Sequence, residues 1–133
     1  MSDGAESAIA RLLAQSRSKL ARVLPRDLAA EQEAGALVVD IRPVEQRERD
    51  GALPGAMVID RNVLEWRLDP TSAHRLEIAD DPDRRIILVC DEGYSSSLAA
   101  HTLQQLGLVN ATDLVGGFRA WQEDQPASSL PER

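Results

Sequence analysis

The sequence is short of cysteine, lysine, histidine and aromatic residues, and it contains no long apolar run; each shortage excludes something. A single cysteine, Cys90, rules out any disulfide within the chain. Lysine occurs once, at Lys19, so the positive charge is nearly all arginine, scattered at positions such as Arg42, Arg47, Arg49, Arg61, Arg67, Arg84, Arg85 and Arg119 against a formal net charge of −7. Nucleic acids and anionic membrane surfaces reward clustered basic side chains, so neither is an expected partner. His74 and His101 have no companion ligands at metal-binding spacing, and neither a metal nor another cofactor is expected. Apolar runs fall far below the roughly 20 residues of a membrane span. The opening MSDGAESAIARLL, acidic and then briefly amphipathic, is unlike a secretory leader. The expectation is a soluble, cytoplasmic protein.

What is present suits one packed domain. At 133 residues with 43% hydrophobic side chains, the chain has the length and composition for a core without disulfide or metal staples. The reading divides it into an N-terminal helical extension (1–18), a main domain (19–125) and a polar tail (126–133). Ile9, Leu12 and Leu13 fall at helical spacing between Glu6 and Gln15. Lys19 to Leu24 fits either a continuation of that helix or an edge strand, with the strand preferred, and Pro25 ends it before a helical segment reaching Ala34 and stopped at Gly35.

Two continuous apolar runs, Ala36 to Ile41 and Ile86 to Cys90, have the pattern of strands buried on both faces of a parallel sheet. Between them lie a turn-rich connection at Gly51 to Ala56 and a short strand at Met57 to Ile59. Ser95 to Leu106 reads as a helix closed by Gly107, Thr112 to Val115 as a last strand, and Gly116-Gly117 as the lead into a final helical turn through Trp121. Strands alternating with helices predict an α/β fold: a central parallel sheet with helices on both faces, α/β/α in three layers.

Sites in open α/β sheets form at the carboxyl ends of strands, and Cys90 ends the second buried run. The loop Asp91-Glu92-Gly93-Tyr94-Ser95-Ser96 must then turn into a helix, and Gly93 permits the tight backbone this needs. Such a loop turns main-chain N–H groups inward, and the helix N-terminus adds positive potential, so a thiolate is favoured there. A lone cysteine at a strand end is more often an inert apolar residue; the glycine loop and the following helix reverse that reading. Candidate substrate-binding residues are Asp91, Glu92, Gly93, Tyr94, Ser95 and Ser96, with Arg61 added from the connection after the Met57 strand. Asp40 and Arg42 are assigned a supporting role, Asp40 accepting loop N–H bonds and Arg42 pairing with a carboxylate. Tyr94 is a candidate selectivity element. Ser95 to Ser97 are read as helix-capping hydroxyls rather than catalytic ones.

Four segments together, LVVDIRPVEQ (37–46), GALPGAMVI (51–59), IILVCDEGYSSSLAAHTLQQLGL (86–108) and VGGFRAW (115–121), resemble the rhodanese-like, or sulfurtransferase, domain in order and spacing, over nearly the whole chain. The resemblance implies a rhodanese fold and a cysteine, here Cys90, that accepts sulfur as a persulfide within a ring of loop amides and passes it to a nucleophile. The implied partners are a small sulfur donor and a thiol acceptor, the latter a small molecule or a protein.

Two departures qualify this. The family's common loop is Cys-x-x-Gly-x-Arg, and Ser95 stands in the place of the arginine; a histidine common before Ile-Pro-Gly-Ala is replaced by Ala52. Asp91 and Glu92 also put two carboxylates beside the sulfur. At an effective dielectric near 20, one charge at contact distance is worth roughly 4 kcal/mol before screening, against roughly 0.3–1 kcal/mol from the helix. Slow thiosulfate chemistry is the expectation, with a neutral or cationic donor, or another persulfide, preferred. With no second cysteine, discharge must be to an external nucleophile. Tyrosine-type phosphatases share this loop geometry but require Cys-x-x-x-x-x-Arg, and Ser96 occupies the final place. The alternative is a non-catalytic module that binds a partner or senses sulfur or oxidant.

Overall fold

The computed structural model describes residues 6–126. All but the first residue of the expected polar tail lies outside that range. Helix α1 (Ala8–Arg17) begins at Ser7, whose hydroxyl accepts the Ala10 N–H, and ends with Arg17 in its last turn. It lies two residues later in the chain than the Glu6–Gln15 expectation, because the cap is at Ser7. The helix does not continue through Lys19 to Leu24. The chain turns at Ser18-Lys19, and Val23 then makes an isolated parallel bridge to Leu114, through Val23 N–H to Asp113 O (3.0 Å) and Val115 N–H to Val23 O (2.8 Å). Pro25 opens a short 3₁₀ turn that runs into α2 (Leu28–Glu33), where its missing N–H and fixed φ suit a first helical turn.

Four parallel strands follow: β1 (Leu37–Asp40), β2 (Met57–Val58), β3 (Ile86–Val89) and β4 (Ala111–Asp113), arranged β2-β1-β3-β4. β1 and β3 are central and pair from Leu37↔Ile86 to Asp40↔Val89. Both are buried at every position, which is why they read as continuous apolar runs instead of alternating ones. Period-two side-chain alternation sorts the core onto two faces. Leu37, Val39, Ile86 and Leu88 pack with α4 (Leu64–Leu68) and α5 (Ser95–Gln105); Val38, Ile87 and Val89 pack with Leu28 of α2 and Phe118 of α6 (Gly117–Asp124). The result is the expected three-layer α/β/α arrangement, with α1 lying against α5.

The last strand sits at 111–113, slightly earlier than the expected 112–115; Leu114 still donates to Leu88 O of β3 (3.0 Å) and also bridges Val23. Helix α3 (Val44–Asp50) has no amphipathic signature: Val44 is exposed, and the rest of VEQRERD is polar. Among the described residues, no helix is long and apolar enough to cross a membrane. The consequence for function is that β1, β3 and β4 deliver Asp40, Cys90 and Asp113 to the same edge of the sheet.

Candidate active site

Cys90 follows directly on β3, and the loop after it sorts its main chain into two directions. The carbonyls turn away from the sulfur: Cys90 O accepts Phe118 N–H (2.8 Å), Asp91 O accepts Arg119 N–H (3.1 Å), and Gly93 O accepts the guanidinium groups of Arg17 (2.7 Å) and Arg22 (3.1 Å). The amides turn toward it: Gly93 N–H and Ser96 N–H reach Cys90 Sγ at 3.1 and 3.4 Å. These three carbonyls are thereby satisfied by donors from α1, the 18–24 segment and α6, which leaves the inward amides free to hold a sulfur anion.

Glycine makes the sorting sterically possible. Gly93 has φ 89°, and a Cβ there would come within 2.7 Å of Gly116 N. Gly117 has φ 63°, and its Cβ would lie 2.5 Å from Cys90 O. Contacts that close against backbone leave no room for any side chain, so the 90–93 loop and the 116–117 turn pack main chain on main chain.

Behind the sulfur lies a buried polar network. The Cys90 thiol donates to Ser96 Oγ (3.2 Å), and the hydroxyls of Ser96 and Ser97 both donate to Asp113 Oδ2 at 2.7 Å. Arg22 Nε donates to Asp113 Oδ1 (2.8 Å), so this fully buried carboxylate is charge-paired as well as hydrogen-bonded. The capping role expected of Ser95 to Ser97 is thus corrected. Tyr94 occupies the N-cap position with no side-chain bond, Ser95 makes none either, and Ser96 and Ser97 are committed to Asp113. A side-chain cap is not needed where the first helical amides already point at sulfur.

In front of the sulfur is a cavity of about 270 Å³, lined by Ile41, Pro43, Gln46, Tyr94 and Ser95 together with Cys90, Asp91, Glu92 and Arg42. Cys90 is 6% exposed and lines this space, so the fold holds the residue at the cavity wall. The two carboxylates of the loop differ. Asp91 Oδ2 accepts Arg119 Nε at 2.9 Å, with Arg49 a further 3.9 Å contact to Oδ1. The hydrogen bond it donates to Asp91 holds the Arg119 guanidinium above its ordinary pKa, just as donation to Asp50 raises that of Arg49 and, in turn, lowers that of Asp50. Glu92 is exposed and makes no hydrogen bond or ion pair, so only one of the two carboxylates stands uncompensated beside the sulfur.

Asp40 accepts the Arg42 N–H at 3.0 Å and its guanidinium at Oδ1 and Oδ2 (3.1 and 2.8 Å). Arg42 Nη2 also donates to Gly51 O (2.9 Å), its plane stacks 3.7 Å over Phe118, and its Nη1 is buried without a partner. Arg61 is ion-paired with Glu65 (2.9 Å) and lines a separate depression of about 170 Å³ on the other side of Ile41, Arg42 and Pro43. His101 meets Ser16 of α1 at 3.5 Å and takes no part in the sulfur's surroundings. The residues that sequence reasoning missed are Arg17, Arg22 and Asp113. They lie 73, 68 and 23 positions from Cys90 in the chain, with no local pattern to tie them to it.

The family model for the rhodanese-like domain matches residues 24–124. Thiosulfate sulfurtransferase GlpE of Pseudomonas fluorescens is 31% identical over 112 residues, covering 84% of this chain and 94% of that protein. Among solved structures, a Rhodopseudomonas palustris protein of unknown function, described as a possible tyrosine phosphatase, superposes with a TM-score of 0.79 at 30% identity, covering 100% of this chain and 99% of that one. The human single-domain sulfurtransferase TSTD1 shares the fold, with a TM-score of 0.67 at 23% identity over 79% of this chain and 97% of its own. With the family model matching residues 24–124 and a relative 31% identical over 84% of this chain, the chain belongs to the rhodanese-like domain family.

Proposed function

We propose that this protein is a sulfurtransferase that carries sulfane sulfur on Cys90 as a persulfide. The observation that carries the reading is the pair of main-chain N–H groups, from Gly93 and Ser96, aimed at Sγ beside an open cavity. In loading, the Cys90 thiolate attacks the outer sulfur of a donor. With thiosulfate, the S–S bond of the donor breaks and sulfite leaves with the bonding pair, giving Cys90–S–S⁻. In discharge, an external thiolate attacks that outer sulfur, the bond between Sγ and the outer sulfur breaks, and its electron pair returns to Sγ. Preorganised amides serve both steps, since each places negative charge on sulfur within their reach. Substrate contact falls to Asp91, Glu92, Gly93, Tyr94, Ser95 and Ser96 around the cavity, with Asp40 and Arg42 holding its floor and Arg61 beyond its rim.

A thiosulfate donor meets Glu92 unpaired and finds no arginine at 95, so its loading is slow compared with that of an uncharged donor. Phosphate ester hydrolysis is not favoured: position 96 is serine, and the only guanidinium lining the cavity, that of Arg42, is bound to Asp40. A single free thiol that must stay reduced between turnovers fits a cytoplasmic setting.

The test is mass spectrometry of the intact protein after exposure to thiosulfate or to a small persulfide, followed by addition of a thiol. The expected outcome is gain of one sulfur atom, its loss to the thiol, and neither event in Cys90→Ser. A protein that gains no sulfur from either donor, or that hydrolyses an aryl phosphate through Cys90, would refute the assignment.

A further inference from the structure

The sulfur cavity is not the only hollow that Tyr94 and Ser95 border. The same two residues, with Ile9, Ala10 and Leu13 of α1 and Leu98 of α5, line an adjoining groove of about 390 Å³ whose exposed lining is entirely apolar. One wall of this groove comes from α1, which precedes the 24–124 segment matched to the family. That wall is fixed relative to the sulfur. Arg17 at the end of α1 donates to Gly93 O (2.7 Å) and Ser97 Oγ (3.1 Å) and lies 5.4 Å over the Tyr94 ring, so helix and loop form one unit.

We infer that this groove receives the apolar part of the sulfur acceptor, and that the acceptor is an uncharged aliphatic thiol. The inference deepens the sulfurtransferase reading and rests on it. Three observations select this occupant. The groove shares Tyr94 and Ser95 with the sulfur cavity, so an acceptor whose thiol meets the outer sulfur of Cys90 can lay its chain along α1. No polar group lines it, so a charged or hydroxylated tail would be desolvated without compensation. At the wall the two hollows share, Ser95 is small and neutral where an arginine would stand in the common loop, and the unpaired Glu92 at the cavity disfavours an anionic thiol. The transfer is Cys90–S–SH + R–SH → Cys90–SH + R–S–SH: one S–S bond breaks, one forms, and no outside oxidant or reductant enters. Burial of each methylene then strengthens acceptor binding without altering the sulfur chemistry, so the effect belongs in KM for the acceptor and not in kcat.

The experiment measures discharge of persulfide-loaded protein by straight-chain thiols from ethanethiol to hexanethiol, with loading checked by mass spectrometry beforehand. Full burial of a methylene corresponds to roughly fourfold in affinity, and the partly open groove should give about two- to fourfold per carbon in kcat/KM. Ile9→Asp, at a position 58% exposed and therefore safe for folding, should flatten that dependence, while Ile9→Val keeps it. A wild-type series that is flat, although the protein loads and ethanethiol discharges it, overturns the groove and leaves the sulfurtransferase reading intact. The same slope in Ile9→Asp as in wild type also overturns it, because the gain would then arise elsewhere. Failure to load any sulfur defeats both.

Discussion

β1 and β3 lie side by side in register, are buried at every residue, and yet finish in opposite ways. β1 runs into Asp40-Ile41-Arg42, where acid and guanidinium bind each other and the Gly51 carbonyl, and the site closes on itself. β3 runs into Cys90, where the loop's carbonyls are bound from outside and its amides converge on an atom that borders open space. The difference lies in where the partners come from. A strand end whose polar groups are spent mostly on one another, with only Arg42 Nη1 left over, has little to offer a ligand; one whose carbonyls are satisfied from elsewhere keeps its donors available. In this molecule the closed end supplies stability and the open end supplies chemistry, and the two should separate under mutation.

The largest expected effect is at the closed end. Replacing Asp40 with Ala leaves the fully buried Arg42 guanidinium without its counter-charge, and removing one partner of a buried ion pair costs about 3–5 kcal/mol. Urea denaturation should show that loss, whereas Cys90→Ser, a near-isosteric change at the open end, should abolish sulfur loading and move the urea midpoint little. An Asp40→Ala protein of wild-type stability would mean that Arg42 finds another partner and that the closed end is not what holds this edge of the sheet.

Gly117→Ala acts on the main chain behind the open end and should fall next. The added Cβ meets Cys90 O at 2.5 Å and Asp91 O at 2.7 Å, both main-chain atoms that cannot step aside, at a φ of 63° that costs an L-residue about 1–2 kcal/mol by itself. With overpacking included, about 2–4 kcal/mol of destabilisation is expected. Because the clash pushes on the carbonyl side of the cup, the fraction that remains folded should also load sulfur more slowly. Normal loading by a destabilised Gly117→Ala would show that the amides keep their aim without the main-chain packing behind them.

The closed and open ends were unequally legible in the sequence. The apolar runs at 36–41 and 86–90 announce buried parallel strands because burial on both faces leaves a one-dimensional signature, and Cys90 with Gly93 marks a strand-to-helix turn for the same local reason. Asp40 and Arg42 are neighbours, so their pairing could be anticipated. The guanidinium groups that bind the back of the loop were not visible, since Arg17 and Arg22 act across 76 and 71 positions on a main-chain carbonyl, and no side-chain pattern records a carbonyl. The serines were misread for a related reason. Ser96 and Ser97 satisfy a local capping rule, but Asp113, brought alongside by the β3–β4 pairing, outcompetes it. Lys19 to Leu24 reads as an edge strand by only a small margin over helix, because its one bridge, Val23 to Leu114, is decided by tertiary contact.

The smallest effects concern charge at the mouth of the open end. Sequence alone set two carboxylates against the sulfur; the structure pairs Asp91 with Arg119 and leaves Glu92 free. Arg119→Gln should release the Asp91 charge toward the cavity and slow loading by thiosulfate, a dianion, while Ser95→Arg should add a positive charge at the same rim and speed it. Exposed pairs of this kind are worth at most about 1 kcal/mol, so each change should be about two- to fivefold, in opposite directions. At about 1 M salt the screening length falls to about 3 Å, and both differences should shrink toward nothing, whereas loading by an uncharged sulfur donor should be insensitive to either substitution at any salt. If Arg119→Gln left thiosulfate loading unchanged at low salt while Ser95→Arg raised it, Asp91 would be too far from the incoming anion to matter, and Glu92 with the missing arginine would account for the rim's selectivity by themselves.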